Sequence, residues 1–333
     1  MTMSTMRVSV VVPTYRRPAL LERCLTALLA QRFEPSEYEI IVADDGASPE
    51  VVALMRRLAE RARATSPGKV PALRYLPVTG TAHGPAAARN AGWRRATGAI
   101  IAFTDDDCIP APGWLRAGAA ALRAGADGAS GKLVIPCRDN PTDYERNAAL
   151  LAKAEFVTAN CFYRRDALVS VNGFDERFPR AWREDSDLAF SLLERGARLV
   201  HAPAAVVAHP IRPSRWGVSL AQQRHSMYNA LLYRKHPRLY RQRIQAAPPW
   251  RYYATVAALL MALVGAATWR KRLAATGIGV WGALTIGFWL TRLRGTSHAP
   301  AHLVEMLVTS ALIPPLSVFW RLRGALRYRA LFL

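Results

Sequence analysis

Three adjacent aspartates, Asp105-Asp106-Asp107, close the apolar run at residues 99–104 (AIIAFT). Carboxylates packed this closely repel one another unless a cation sits among them. Hard oxygen donors suit Mg2+ or Mn2+, which keep some water ligands and take others from a diphosphate. The same residues also fit an Asx turn or a helix cap before Pro110. Asp44-Asp45-Gly46 follows a second apolar run, residues 39–43 (EIIVA). It reads either as a turn or as a carboxylate that accepts from a base N–H or from ribose hydroxyls. Arg89 lies in the small-residue stretch 84–92 (GPAAARNAG). There its guanidinium can fork onto a diphosphate or simply face solvent from a helix.

Trp182-Arg183-Glu184-Asp185-Ser186-Asp187 opens an apolar helical pattern through Leu188, Phe190, Leu192 and Leu193. Acids in a first helical turn complement the helix dipole. Three of them beside a Trp and an Arg also make a place for a general base of raised pKa. His209 follows the apolar run 202–208. A lone histidine is commonly structural, but near an Asp triplet its imidazole can complete a set of metal ligands.

The elements that position these groups alternate. Residues 8–13 (VSVVVP) form a β-branched run of the kind buried on both faces of a sheet. Pro18 then opens a helix through Leu20, Leu21, Leu25, Leu28 and Leu29. A strand at 39–43 precedes a helix at 50–63 behind Pro49, and a strand at 72–77 precedes an Ala-rich helix within 84–97. Strand 99–104 completes a fourth alternation, which calls for a parallel sheet covered by helices on both faces. Ligands of such sheets bind beyond the carboxyl ends of the strands, where Thr14-Tyr15-Arg16-Arg17, Asp44-Asp45 and the Asp triplet gather. Neither G-x-G-x-x-G after the first strand nor a P-loop occurs, which argues against a dinucleotide or P-loop nucleotide site.

The chain of 333 residues is long enough for about two domains, and its charge is divided unevenly. Residues 1–194 hold 25 basic and 23 acidic side chains, whereas 195–333 hold 20 basic and one acidic, Glu305. Such a basic half fits nucleic acid or an anionic membrane, and its hydropathy favours the membrane. Apolar runs occupy 252–269, 273–291 and 306–320, the first two separated by Arg270-Lys271-Arg272, with Trp or Tyr at their ends, as interfacial anchors have. The 19 uncharged residues 273–291 span roughly 28 Å as a helix, close to a hydrocarbon core of about 30 Å. Pro314-Pro315 is expected to interrupt the third run. One arrangement is a hairpin of the first two runs plus a shallow third segment that turns at the prolines; another has all three lying partly in the interface. A buried soluble helical domain is the alternative. Every connector is basic, so the positive-inside rule sets no orientation. The N-terminal residues carry no export pattern, and four cysteines without C-x-x-C spacing read as reduced thiols. Both observations put the first domain on the cytoplasmic side.

Taken in order, VSVVVPTYRRPALLERCLTALLAQ, IIVADDGAS, GPAAARNAGWRRATGAIIAFTDDDCIPAPGWL, ANCFYRRDALVSVNGFDERF and REDSDLAFSLLERG resemble a family 2 glycosyltransferase across roughly residues 6–210. The resemblance is to a membrane-associated bacterial-type member of that family. The resemblance implies a GT-A fold (α/β, Rossmann-like, mostly parallel sheet with helices on both faces), here followed by an α-helical membrane-associated region. It implies a nucleotide-diphosphate-sugar donor, Mg2+ or Mn2+, and inversion at the anomeric carbon. Pro13, Thr14 and Tyr15 would line the nucleobase pocket, Asp44 and Asp45 would bind base or ribose, and Arg89 the nucleotide. Asp105 would face ribose or metal, Asp107 and His209 would ligate the metal, and Asp185 would be the general base, supported by Glu184 and Asp187. The Q-x-x-R-W element of processive synthases has only Gln222-Gln223-Arg224-His225 in its place.

The expected organisation is a catalytic domain at 1–211, a basic helical linker at 212–250 and hydrophobic helices at 251–333, on the inner (cytoplasmic) membrane. The expected reaction transfers a sugar to a hydroxyl of a lipid-linked or cell-envelope glycan, with no nucleic acid partner. A polyprenyl-phosphate sugar synthase is the alternative within the family. A sugar-nucleotide nucleotidylyltransferase would need a Gly-rich triphosphate loop that VVPTYRRPA does not supply, and a non-catalytic binder should lack one of the acids.

Overall fold

β-Branched strands and proline-started helices alternate from the first described residue in a computed structural model, which describes residues 7–66 and 68–332. The N-terminal residues 1–6, part of the segment read for an export signal, lie outside that range. Strand β1 (Val8–Thr14) leads to α1 (Pro18–Leu29), β2 (Tyr38–Asp44) to α2 (Pro49–Thr65), and β3 (Ala72–Pro77) to α3 (Pro85–Arg95). Each of these helices has proline in its first turn, where the missing N–H would have had no partner and the fixed φ suits the helix. Then come β4 (Ile100–Phe103), β5 (Ile109–Pro110), α4 (Trp114–Arg123) and β6 (Gly128–Val134). After an excursion through α5 (Asp143–Ala149) the chain returns with β7 (Cys161–Arg164), α6 (Arg165–Ser170), α7 (Glu184–Glu194) and β8 (Leu199–Ala208). The second half adds α8 (Val218–Gln222), α9 (Ser226–Lys235), α10 (Pro237–Arg243), α11 (Trp250–Ala267), α12 (Lys271–Leu293) and α13 (Pro300–Tyr328).

The eight strands form one sheet in the order β3-β2-β1-β4-β7-β6-β8-β5. Its first half, β3 to β4, is parallel as the alternation predicts; beyond β4 it becomes mixed, with β7 antiparallel to both neighbours. The period-2 alternation of β1 divides the core. Val8, Val10 and Val12 pack with Leu21 and Leu25 of α1, Leu54 of α2 and Trp114 of α4. Val11 turns to the other face with Ile41, Ile101, Trp93 of α3 and Leu188 and Leu192 of α7. Both faces are therefore covered, and each fully buried Val or Leu contributes about 1.5–3 kcal/mol.

The described residues separate into two compact units. One ends at Pro136 and resumes from Leu151 to Pro210; the other comprises Cys137–Leu150 and everything from Ile211 onward. Residues 137–150, which the sequence reading places in the first domain, thus belong with the second unit. Within it, Arg292 Nη2 of α12 pairs with Asp143 Oδ2 of α5 at 2.8 Å, and Nη1 donates to Thr309 and Ser310 of α13 at 2.7 and 3.1 Å. Helices α11 and α12 pack antiparallel at very short range. A Cβ on Gly277 would come within 2.4 Å of the Ala262 backbone nitrogen, a contact only glycine permits. Helices α11, α12 and α13 are each long and apolar enough to cross a membrane, and the most apolar window of α12 is only 11% buried within the protein. Large side chains such as Leu263, Ile278 and Leu290 face outward. The expected interruption at Pro314-Pro315 is absent: α13 continues through both prolines. Apolar surroundings make an intact helix the cheapest way to keep the remaining backbone groups paired.

Candidate active site

Strand β1 ends with Pro13 and Thr14 buried and Tyr15 half exposed, and the following residue, Arg16, has φ 52°. A non-glycine residue in this left-handed region is held there by its surroundings, and such strain collects at binding loops. The Arg16 guanidinium lies 5.2 Å from the centre of the Tyr15 ring.

The two acids ending β2 take different partners. Asp44 is fully buried and accepts from the backbone N–H groups of Gly46 and Ser48 at 2.9 and 2.8 Å and from the Tyr75 hydroxyl at 3.2 Å. Its carboxylate shapes the turn from within. Asp45 accepts from Gly84 N–H at 2.8 Å and lies 2.8 Å from His83 Nδ1, tying the end of β2 to the start of α3. Gly84 has φ +104°, and a Cβ there would meet the Pro179 carbonyl oxygen at 2.4 Å, so the position requires glycine.

The Asp triplet after β4 faces three ways. Asp106 turns inward, accepting from Thr14 Oγ1 at 2.8 Å and from Arg17 Nη1 at 3.3 Å. Burial pushes its carboxyl up to about 6 although Thr14 and Arg17 pull the other way. Asp105 stays partly exposed and accepts from Arg89 Nη2 at 2.8 Å. Asp107 is buried with its Oδ1 3.6 Å from His209 Nε2. Asp107, Cys108 and His209 present ligand atoms all within 4.8 Å of one another. Burial first, and then the neighbouring acids, push the Cys108 thiol far up, so it stays protonated. One carboxylate oxygen and one imidazole nitrogen remain as the strong donors, a pair that suits a divalent cation needing further ligands from water or a diphosphate. Asp105 is not part of that group.

Arg89, 2% exposed, joins the triplet to α7: Nη1 donates to Glu184 Oε1 at 2.9 Å while Nη2 holds Asp105. The sequence reading sends this guanidinium to the nucleotide; in the structure two carboxylates occupy it. Helix α7 begins behind Arg183, whose φ of 77° turns the chain so that Glu184 and Asp187 are buried and Asp185 is half-buried. Asp185 Oδ1 accepts from Ser186 N–H at 2.6 Å and Ser186 Oγ at 3.3 Å. Burial raises both Glu184 and Asp185 above the ordinary carboxylate range; Asp185 adds repulsion on Glu184, and Arg89 opposes the rise. A carboxylate held half-buried with raised proton affinity is suited to take a proton from a hydroxyl.

Two contributors lie outside the sequence reading: Cys108 adjoins the triplet and His83 precedes Gly84. Of these, Cys108 carried a signal, its position next to Asp107. Arg17, placed at the strand ends by the sequence, steadies Asp106.

Comparison with known proteins gives a consistent picture. The profile described as "Glycosyl transferase family 2" matches residues 9–175, half of the chain, and "Glycosyl transferase family group 2" matches residues 100–293. Glycosyltransferase AglE of Haloferax volcanii is 27% identical over 62% of this chain and 67% of its own length. Validoxylamine A glucosyltransferase of Streptomyces hygroscopicus subsp. limoneus is 33% identical over 39% of this chain, a match that spans only 26% of that relative. The mannosyltransferase PcManGT of Pyrobaculum calidifontis, solved with GDP-Man and Mn2+, superposes with a TM-score of 0.57 over 98% of this chain and 88% of its own, at 20% identity. At that identity the likeness establishes a shared fold.

Proposed function

The chain belongs to glycosyl transferase family 2, and from that premise we propose that it transfers a sugar, with inversion, from a nucleotide-diphosphate-sugar to a hydroxyl of a lipid-linked or cell-envelope glycan. The observation that carries this reading is the bridge Asp105–Arg89–Glu184, which joins the Asp107–His209 pair to the half-buried Asp185.

Tyr15 and Asp45, with Pro13 and Thr14 behind them, receive the nucleobase and ribose, and Asp44 acts by holding their loop. Arg89 orients Asp105 toward the donor and keeps Glu184 in place. Asp107 and His209 hold Mg2+ or Mn2+, which supplies positive charge against the departing diphosphate. Asp185 takes the proton from the acceptor hydroxyl, which then attacks the anomeric carbon from the side opposite the diphosphate. Glu184 and Asp187 fix the start of α7. Residues 1–136 and 151–210 act as the catalytic domain, 211–250 as a basic interfacial linker and 251–333 as the membrane attachment, with catalysis on the cytoplasmic face of the inner membrane.

The test uses the full chain in detergent or nanodiscs. A panel of nucleotide-diphosphate-sugars is supplied with Mn2+ or Mg2+ and membrane lipid extract. Release of nucleoside diphosphate that needs the extract, with sugar recovered on a lipid or glycan, supports the reading. Release of pyrophosphate from a nucleoside triphosphate would point to nucleotidyl transfer instead.

A further inference from the structure

A cleft of about 460 Å³ lies inside the second unit, lined by Pro248, Trp250 and Arg251 where α11 begins, by Leu284 and Phe288 of α12, and by Pro314 of α13. Its volume falls in the range of small-molecule sites, and its wall is predominantly apolar. The exception is Arg251. That guanidinium reaches across to α12, with Nη2 3.8 Å from the place a Cβ on Gly287 would occupy. It makes no hydrogen bond or ion pair among the described residues. The acids nearest in the fold are already engaged: Asp143 pairs with Arg292, and Glu305, the only acid in residues 195–333, accepts from Gly217 N–H at 2.8 Å.

Because α11 and α12 run antiparallel, the start of α11 and the end of α12 meet at one end of the hairpin, bringing together Trp250, Arg251, Trp289 and Arg292. Aromatic rings and arginines of this kind sit at headgroup level. An apolar slot opening there beside one free cation matches a molecule with an apolar chain and an anionic head. The geometry points to a binding site for a phosphate-headed membrane lipid, its chain in the cleft and its phosphate on Arg251. The inference rests on the membrane reading above and holds whether or not that lipid accepts the sugar.

The probe is hexadecyl phosphate carrying a diazirine in its chain, photolysed with the full chain in nanodiscs and mapped by peptide mass spectrometry. Label is expected at residues 248–255, 284–288 and around Pro314. Hexadecanol should compete about tenfold or more weakly than unlabelled hexadecyl phosphate, the loss of a charge-assisted contact, and inorganic phosphate not at all. Arg251→Gln should erase the preference for phosphate over alcohol, and Leu284→Trp should block labelling while helix content is kept. Competition by an isoprenyl phosphate or by dioleoyl phosphatidate identifies which lipid class enters. Displacement by neither, or label spread over the outward faces at Leu263, Ile278 and Leu290 and indifferent to Arg251→Gln, overturns the proposal. Nucleoside diphosphate release, followed on the same samples, reports separately on sugar transfer.

Discussion

Arg89 Nη1 donates to Glu184 Oε1 at 2.9 Å, and neither side chain is more than 3% exposed. With Asp105 on its other arm, this one guanidinium couples the end of β4 to the start of α7 across residues far apart in sequence. Removing one partner of a buried pair costs far more than the pair itself is worth, because the survivor keeps an uncompensated charge.

Arg89→Met should therefore lower stability by about 3–5 kcal/mol and abolish turnover. The double variant Arg89→Met/Glu184→Leu should recover much of the stability but none of the activity. Thermal unfolding and nucleoside diphosphate release measure the two effects. A single variant with unchanged melting would show that the bridge carries little.

Asp185→Asn preserves size and most hydrogen bonding but cannot accept a proton. A kcat loss of about 10²–10⁴ with donor KM nearly unchanged is expected in steady-state assays. Turnover near that of the parent would mean an acceptor that needs no base, favouring a polyprenyl-phosphate acceptor.

The pH profile follows from the same residue. Asp185 works deprotonated, and its proton affinity is raised by burial, so kcat should fall as pH drops through a value above the ordinary carboxylate range near 4. In Asp185→Asn the residual rate should lose that limb.

Asp107→Ala should abolish Mn2+-dependent donor binding, and His209→Ala should weaken Mn2+ by about tenfold, one weak ligand bond. Titration followed by electron paramagnetic resonance reads both directly. Full activity of the parent in excess EDTA would remove the metal from the reaction.

Glu39 offers a stability test away from the chemistry. Burial alone would raise its carboxyl, but hydrogen bonds from Ser9, Arg74 and Thr97 outweigh it and hold the group down at about 2. An acid depressed in the folded state stabilises above its unfolded value near 4.3 and loses that contribution as pH falls toward its folded value. Allowing for screening at the exposed Arg74, Glu39→Gln should cost about 2 kcal/mol at pH 7. The difference between parent and variant should shrink between pH 4 and pH 2 in urea unfolding.

What the sequence revealed depended on range. Apolar and β-branched runs locate β1, β2 and β4, and the acids that follow β2 and β4 mark their shared rim, because strand burial and strand ends are local properties. The division of labour among the acids is not local. Asp106 turns inward because Thr14, 92 residues earlier, offers a hydroxyl, and Arg89 faces inward because Glu184, 95 residues later, meets it. The mixed half of the sheet was hidden likewise, since the short strand β7 (CFYR) has no signature of direction. Pro314-Pro315 misled because a helix breaks at proline most readily where water can pair the exposed backbone, whereas Ile313 and Pro314 are buried and the rest of α13 stays paired within the helix.

The α5 excursion also sets a timetable for biosynthesis. Asp143 leaves the ribosome 149 residues before Arg292, the cation that pairs with it. At about 5–20 residues per second, that interval is roughly 7–30 s, during which the strands on either side of α5 can already fold. Through that time a helix already started by its Thr142–Glu145 capping box carries an aspartate without a counter-charge. Completion waits on the arrival of α12. A chain terminated near residue 211 would keep α5 but never gain Arg292, so a single cut there divides the second unit, which includes residues 137–150.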